Sequence, residues 1–234
     1  MRKFLVGFFF FALFIGYSPS GDTSPGNNVV VGNLSPDYML YKYMGLEGMV
    51  DYEAFEQALK GLDKIDGVNN KNIITLIDFT KPSTEKRLYV LDMNNRKMLF
   101  HTHVAHGQGS GENYATSFSN VLGSHQSSLG FYLTENSYEG GNGYSLILNG
   151  LEKGINNKVR DRGIVMHGAD YCDPALIPGT GRLGRSLGCP ALPYELSSLV
   201  IDAIKDGSLI YVYAGNEDYL AQSAILSGRG IASL

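Results

Sequence analysis

The chain has no surplus of positive charge. Its 19 Lys and Arg face 23 Asp and Glu, a net charge of −4. No basic face is therefore available to neutralise phosphates, which excludes nucleic acid as a partner. It contains no His-Glu-x-x-His, so the helix that carries zinc in many peptidases is missing. No internal repeat is present, and no cysteine lies near the N-terminus, which excludes an N-terminal lipid-modified cysteine. Tryptophan is absent, whereas 15 Tyr and 29 Gly favour strands and turns. With 44% hydrophobic and 18% charged residues over 234 positions, the chain suits one large globular domain with a real core, or one with a small appendage.

The apolar run at the N-terminus, Phe4 to Ile15, follows the basic pair Arg2-Lys3 and precedes small residues at Ser18-Pro19-Ser20. That order predicts a signal peptide over residues 1–20, hence export to the periplasm or cell envelope. The run is short for a spanning helix. An uncleaved anchor, giving membrane association through this segment, is the alternative. Export puts Cys172 and Cys189 in an oxidising compartment, where two thiols suggest a disulfide.

Residues 21–33 read as a flexible lead-in. Ser35-Pro36-Asp37 starts a helix, and a second begins near Asp51 with Phe55, Ala58, Leu59 and Leu62 on one face. Together they predict a small helical subdomain over 34–66. From Ile73 the period becomes two. Ile73–Phe79 and Arg87–Met93 read as strands, and Asn94-Asn95 turns the chain into a third from Lys97 to Ala105. Further strands are expected at Leu129–Leu133, Tyr144–Leu148, Arg162–His167 and Leu209–Tyr213. One late helix follows Pro193, with Leu196, Leu199, Val200, Ala203 and Ile204 as its apolar stripe. The strand-rich region spans 70–215, and the tail, 216–234, shows only a short helical pattern.

The chemistry concentrates between His167 and Pro190. A histidine closes a strand, and 22 positions later Cys189 follows Ser186-Leu187-Gly188. Cysteine is a strong nucleophile as thiolate, and an imidazole is the usual means of generating it near neutral pH. The intervening Gly, Pro and Asp residues form a loop able to bring the two together. Small residues before the cysteine allow a tight turn whose N–H groups can face a developing oxyanion. No acidic residue is well placed to orient the imidazole; Asp170 is a weak choice. Arg182 and Arg185 flank the cysteine and can grip a carboxylate, Arg185 the better placed, although solvated surface charge explains them equally well.

This run resembles the signature of murein L,D-transpeptidases, the YkuD-like family, and most closely its branch common in Bacteroidetes-type bacteria. The likeness extends to Ile73–Met93, His103–Asn120, Ser127–Gly154 and Gly181–Pro193, and so covers about residues 33–215. Two departures are Leu187, where the broader family usually has a second histidine, and Ala191, where a polar residue is usual. The resemblance implies a mainly β fold, an L,D-transpeptidase-like β-sandwich with the small N-terminal helical subdomain and the one late helix. It implies peptidoglycan stem peptides as partners and no cofactor or metal. Cys189 would be the nucleophile, His167 the base, and the Gly168 carbonyl the group fixing the imidazole tautomer. The N–H groups of Leu187, Gly188 and Cys189 would form the oxyanion hole. Ser186, Arg185, His106, Ser128 and Gly130 would line the substrate cleft. It also requires Cys189 to be a free thiol.

Three other readings compete with cross-linking. The same site would trim stems as an L,D-carboxypeptidase if water replaced the acceptor amine. A retired wall-binding module would use the cleft without chemistry. His101, His103 and His106, spaced for zinc, would make a metal-dependent peptidase.

Overall fold

Ser35 and Asp51 start the first two helices by accepting N–H groups that a first turn leaves unpaired. Ser35 Oγ takes the Tyr38 N–H at 3.1 Å and Asp51 Oδ1 the Ala54 N–H at 3.0 Å. α1 (Pro36–Tyr43) and α2 (Tyr52–Lys64) follow directly. The computed structural model describes residues 34–227. The signal segment, the lead-in and residues 228–234 of the tail lie outside the described residues. None of the helices among the described residues is long and apolar enough to cross a membrane.

Eight strands form one sheet: β1 (Ile73–Asp78), β2 (Leu88–Asp92), β3 (Lys97–Thr102), β4 (Gly130–Gly140), β5 (Gly143–Gly150), β6 (Val165–Gly168), β7 (Ala191–Leu192) and β8 (Leu209–Tyr213). Their order is β3-β2-β1-β8-β4-β5-β6-β7. β1 pairs parallel to β8 and β6 parallel to β7, and every other pairing is antiparallel. The sheet curls until its ends nearly meet: Ala105, just past β3, bridges to Ala191 in β7, and Gly107 to Ser186. The fold is mainly β with few helices, as the sequence implied.

The strands β1, β2 and β8 are buried at every position, which leaves no polar face and requires cover on both sides. The helix α2 supplies part of it, packing on β1 and β8 and burying Ala54, Phe55, Ala58 and Gly61. A short α3 (Ile177–Thr180) lies in the loop before Ser186, and α4 (Tyr194–Ile204) packs on β6. Its buried face is Ser197, Val200, Ile201 and Ile204, while Leu199 is exposed. The stripe read from sequence is therefore rotated, because the tight packing of α4 on Gly168 turns a small residue, Ser197, inward.

Several strands differ from their sequence reading: the third ends at Thr102 rather than Ala105, and β7 is not among the strands expected. The fourth runs well past Leu133 into the polar Thr134–Gly140, whose outer half is exposed and carries no apolar alternation. The sixth starts at Val165 rather than Arg162, because residues 155–163 are turns that end at Gly163 with φ +65°. The described part of the tail adds α5 (Glu217–Gln222), capped by Asn216. Tyr219 and Ser223 fasten it by donating to the buried Glu152 carboxylate, the first at 3.0 Å.

The contact of α2 with the sheet depends on one glycine. A Cβ on Gly61 would overlap the Phe131 ring of β4. Gly61→Ala gains about 1 kcal/mol in helix propensity, but overpacking a rigid core costs more. The variant is expected to unfold at lower denaturant, with stability reduced by about 1–2 kcal/mol; a midpoint at or above wild type would show that the helix shifts freely on the sheet.

Candidate active site

His167 lies on β6, and Cys189 lies in the turn just before β7. His167 in β6 pairs with Ala191 in the parallel β7, and Gly168 with Leu192. Counting back along both strands, Cys189 arrives beside Val165. The Val165 N–H donates to Cys189 Sγ at 3.5 Å, and the thiol donates to Gly163 O at 3.8 Å. The thiol hydrogen bonds thus run to the main chain rather than to the imidazole. His167 donates Nδ1–H to Gly168 O at 2.9 Å, which leaves Nε2 as the basic nitrogen. Asp170 is exposed and takes no part in orienting the ring. Gly168 must be small: a Cβ there would meet Ser197 Oγ and Tyr194 Cδ1 of α4.

Burial governs the thiol. Cys189 is 8% exposed and His167 6%. Desolvation pushes the Cys189 pKa up, offset in part by the Val165 N–H and by the positive charge of Arg162. At neutral pH the resting sulfur is therefore a thiol. Cys172 is fully buried in a small cluster with Ala105, Ala169 and Ala191, and burial pushes its pKa up to about 12. Both cysteines are free, so the disulfide reading is not realised.

The turn before Cys189 is held by Ser186. Its Oγ accepts the Gly188 N–H at 3.0 Å and donates to Cys189 O at 2.7 Å. The Gly188 N–H is thus already occupied and does not face the site as an oxyanion donor. The N–H groups of Leu187 and Cys189 have no acceptor among the described residues. Gly188 has φ +126°, and a Cβ would meet Ile164 Cδ1 at 2.8 Å and Gln126 O at 2.9 Å. Ser186 is buried and spends its hydroxyl on this turn, so it does not reach a cleft. Leu187 stands 60% exposed.

The other expected cleft residues are placed differently. His106 is fully buried: Nδ1 faces Arg87 Nη2 at 2.8 Å and Nε2 faces Gly111 O at 3.3 Å. Burial and Arg87 lower its pKa to about 4, so it is neutral. Its carbonyl accepts the Ser186 N–H at 3.0 Å, and it supports the Ser186–Cys189 turn from behind. Arg185 and Arg182 both hold one carboxylate, that of the exposed Glu112, at 2.8 and 3.0 Å. Ser128 is buried and donates to Ser119 O at 2.7 Å. Gly130 has φ +96° and abuts Glu152, so its missing side chain admits a buried carboxylate rather than substrate. His101 and His103 point Nε2 at the carbonyls of Lys86 and Thr84. No group of three or more His, Cys, Asp or Glu suited to a metal occurs among the described residues.

Two contributors have no signal in the one-dimensional pattern. Ser127 accepts the Gly107 N–H at 3.0 Å and donates to Gly188 O at 3.3 Å, joining two loops far apart in sequence. Arg162 lies beside the same turn. Past Ser119 opens a polar hollow of about 280 Å³ between Phe118, Asn120, Asn216 and Gln222.

The fold is thus a mainly β sheet with His167 on β6 and Cys189 just before the parallel β7. The L,D-transpeptidase catalytic domain model matches residues 46–213, and the chain belongs to that family. Among solved structures, an L,D-transpeptidase from Mycobacterium smegmatis is 12% identical with a TM-score of 0.39, over 61% of this chain and 59% of that one. The helical cell shape determining protein Pgp2 from Campylobacter jejuni is 16% identical with a TM-score of 0.42, over 69% and 56%. An L,D-transpeptidase from Mycobacterium tuberculosis H37Rv is 15% identical with a TM-score of 0.35, over 61% and 57%. The chain thus spans less than two thirds of the length of each. No curated protein matches the sequence.

Because Cys172 is sealed and Cys189 only nearly so, iodoacetamide at mildly alkaline pH is expected to label Cys189 first in the folded protein. Ser186→Ala leaves the Gly188 N–H without its acceptor, which costs about 1–3 kcal/mol. It should lower Tm and change the Cys189 labelling rate. Equal labelling of both thiols, read by peptide mass spectrometry, would contradict this geometry.

Proposed function

We propose that the protein is an exported L,D-transpeptidase in which Cys189 forms a thioester with a peptidoglycan stem peptide. The observation that carries the reading is the β6–β7 register, which sets Cys189 two residues before the partner of a histidine whose Nδ1 is tied to Gly168 O, within a chain of this family.

The substrate is a stem tetrapeptide, cleaved after meso-diaminopimelate. His167 Nε2 takes the thiol proton as Sγ attacks the carbonyl carbon, since burial keeps the sulfur protonated at rest. This needs the thiol to turn from Gly163 O towards the ring. Of the three N–H groups expected to form the oxyanion hole, Leu187 and Cys189 have theirs unengaged and would receive the oxyanion. The C–N bond then breaks, and the imidazolium gives its proton to the departing D-Ala amine. The amine of a second stem attacks the thioester and loses a proton to His167, and the thiol is regenerated. The N-terminal segment supports export to the cell envelope, as a signal peptide or a membrane anchor.

An L,D-carboxypeptidase using the same residues remains the second reading, since water can take the place of the acceptor amine at the thioester. Transfer and hydrolysis share Cys189, His167 and the oxyanion donors, so the ratio depends on what reaches the thioester first.

Incubation with muropeptide tetrapeptides and excess acceptor is expected to give cross-linked dimers by liquid chromatography–mass spectrometry, and Cys189→Ala to abolish them. Full activity in that variant would remove the mechanism. Free tripeptide alone, with and without acceptor, would establish the carboxypeptidase. Activity should survive EDTA and be lost to iodoacetamide; the reverse would restore a metal-dependent reading through His101 and His103.

A further inference from the structure

Arg162 sits at the end of the turns that precede β6, and four of its hydrogen bonds converge on one loop. Nη1 donates to Ser119 O and to Ser128 Oγ, each at 2.6 Å. Nη2 donates to Ser124 Oγ at 3.3 Å and to Gln126 O. The same guanidinium packs on the nucleophile turn: a Cβ on Gly188 would lie 3.3 Å from Nη2. A planar fork fits this task because its donors have fixed directions, which an ammonium lacks.

Every acceptor is neutral. No carboxylate among the described residues forms an ion pair with Arg162, although the residue is half-buried. A partly desolvated cation without a counter-ion is costly unless something negative appears beside it. The groups that face it are Tyr132 of β4 and Cys189. Burial keeps Tyr132 protonated. The sulfur is the group that can become negative. Around Cys189 the titratable neighbours are Arg162, Tyr171 and, one step along β6, His167.

We propose that Arg162 is a positioning residue for the nucleophile: its fork fixes the 119–128 loop against the Gly188 turn, and its charge stands as the missing partner of the Cys189 thiolate. The proposal rests on the reading of Cys189 as nucleophile. Ser119 also borders the polar hollow, so the same fork braces one of its walls.

The test compares the full chain with R162K and R162Q. Iodoacetamide labelling of Cys189 is followed from about pH 6 to about pH 10, with steady-state kinetics on a muropeptide and circular dichroism as the check of folding. R162Q removes the charge, and its labelling profile is expected to move to higher pH, at least about tenfold slower at neutral pH. R162K keeps the charge and loses the fork: its profile should stay with wild type while KM rises severalfold and kcat changes less. Superimposable profiles for wild type and R162Q overturn the charge role, and a wild-type KM in R162K overturns the fork role. If R162Q does not fold, R162K decides alone, a displaced profile or an unchanged KM counting against the proposal. Labelling needs no acyl transfer. A wild type that labels as expected but neither joins nor trims muropeptides would refute the function and leave the Arg162 result intact.

Discussion

The pairing of β7, only two residues long, is the constraint on which the site depends. Ala191 is held from two sides, parallel to His167 of β6 and antiparallel to Ala105 just past β3. That double pairing draws the two ends of the curled sheet together and fixes the register of the preceding residues. Since side chains alternate along a strand, a slip of one residue would turn Cys189 away from its present face. The hydroxyls of Ser186 and Ser127 and the carbonyl of His106 lock the turn that feeds this short strand.

Around the turn, buried polar groups serve the main chain. Arg87 is fully buried and donates to Val104 O and Lys81 O while facing His106. Burial lowers its pKa to about 9. His106 in turn stays neutral and buttresses Ser186. Arg87, Ser127 and Ser186 thus satisfy main-chain carbonyls or N–H groups of several loops. The consequence is a Ser186–Cys189 turn braced from behind, with Leu187 alone exposed.

Electrostatics at the sulfur is a balance of opposing effects. Desolvation keeps the thiol neutral, and a half-buried guanidinium without a carboxylate partner favours its ionisation. In the proposed reaction, His167 Nε2 takes the proton of a neutral thiol as attack occurs.

The sequence by itself determined the mainly β class and the helix starts at Ser35 and Asp51, because each rests on local chemistry: alternation and caps. It did not reveal the polar outer half of β4, which is solvated on both faces and so lacks alternation. Nor did it separate residues that touch a cleft from those that build its walls. Ser186, Ser128, His106 and Gly130 carry the residue types of a binding site, yet the fold buries all four. Only the tertiary structure decided this, because whether a hydroxyl or imidazole meets substrate or backbone depends on loops brought together from distant positions. The same holds for Arg162: its role comes from four acceptors between residues 119 and 128, which no spacing in the chain places beside it.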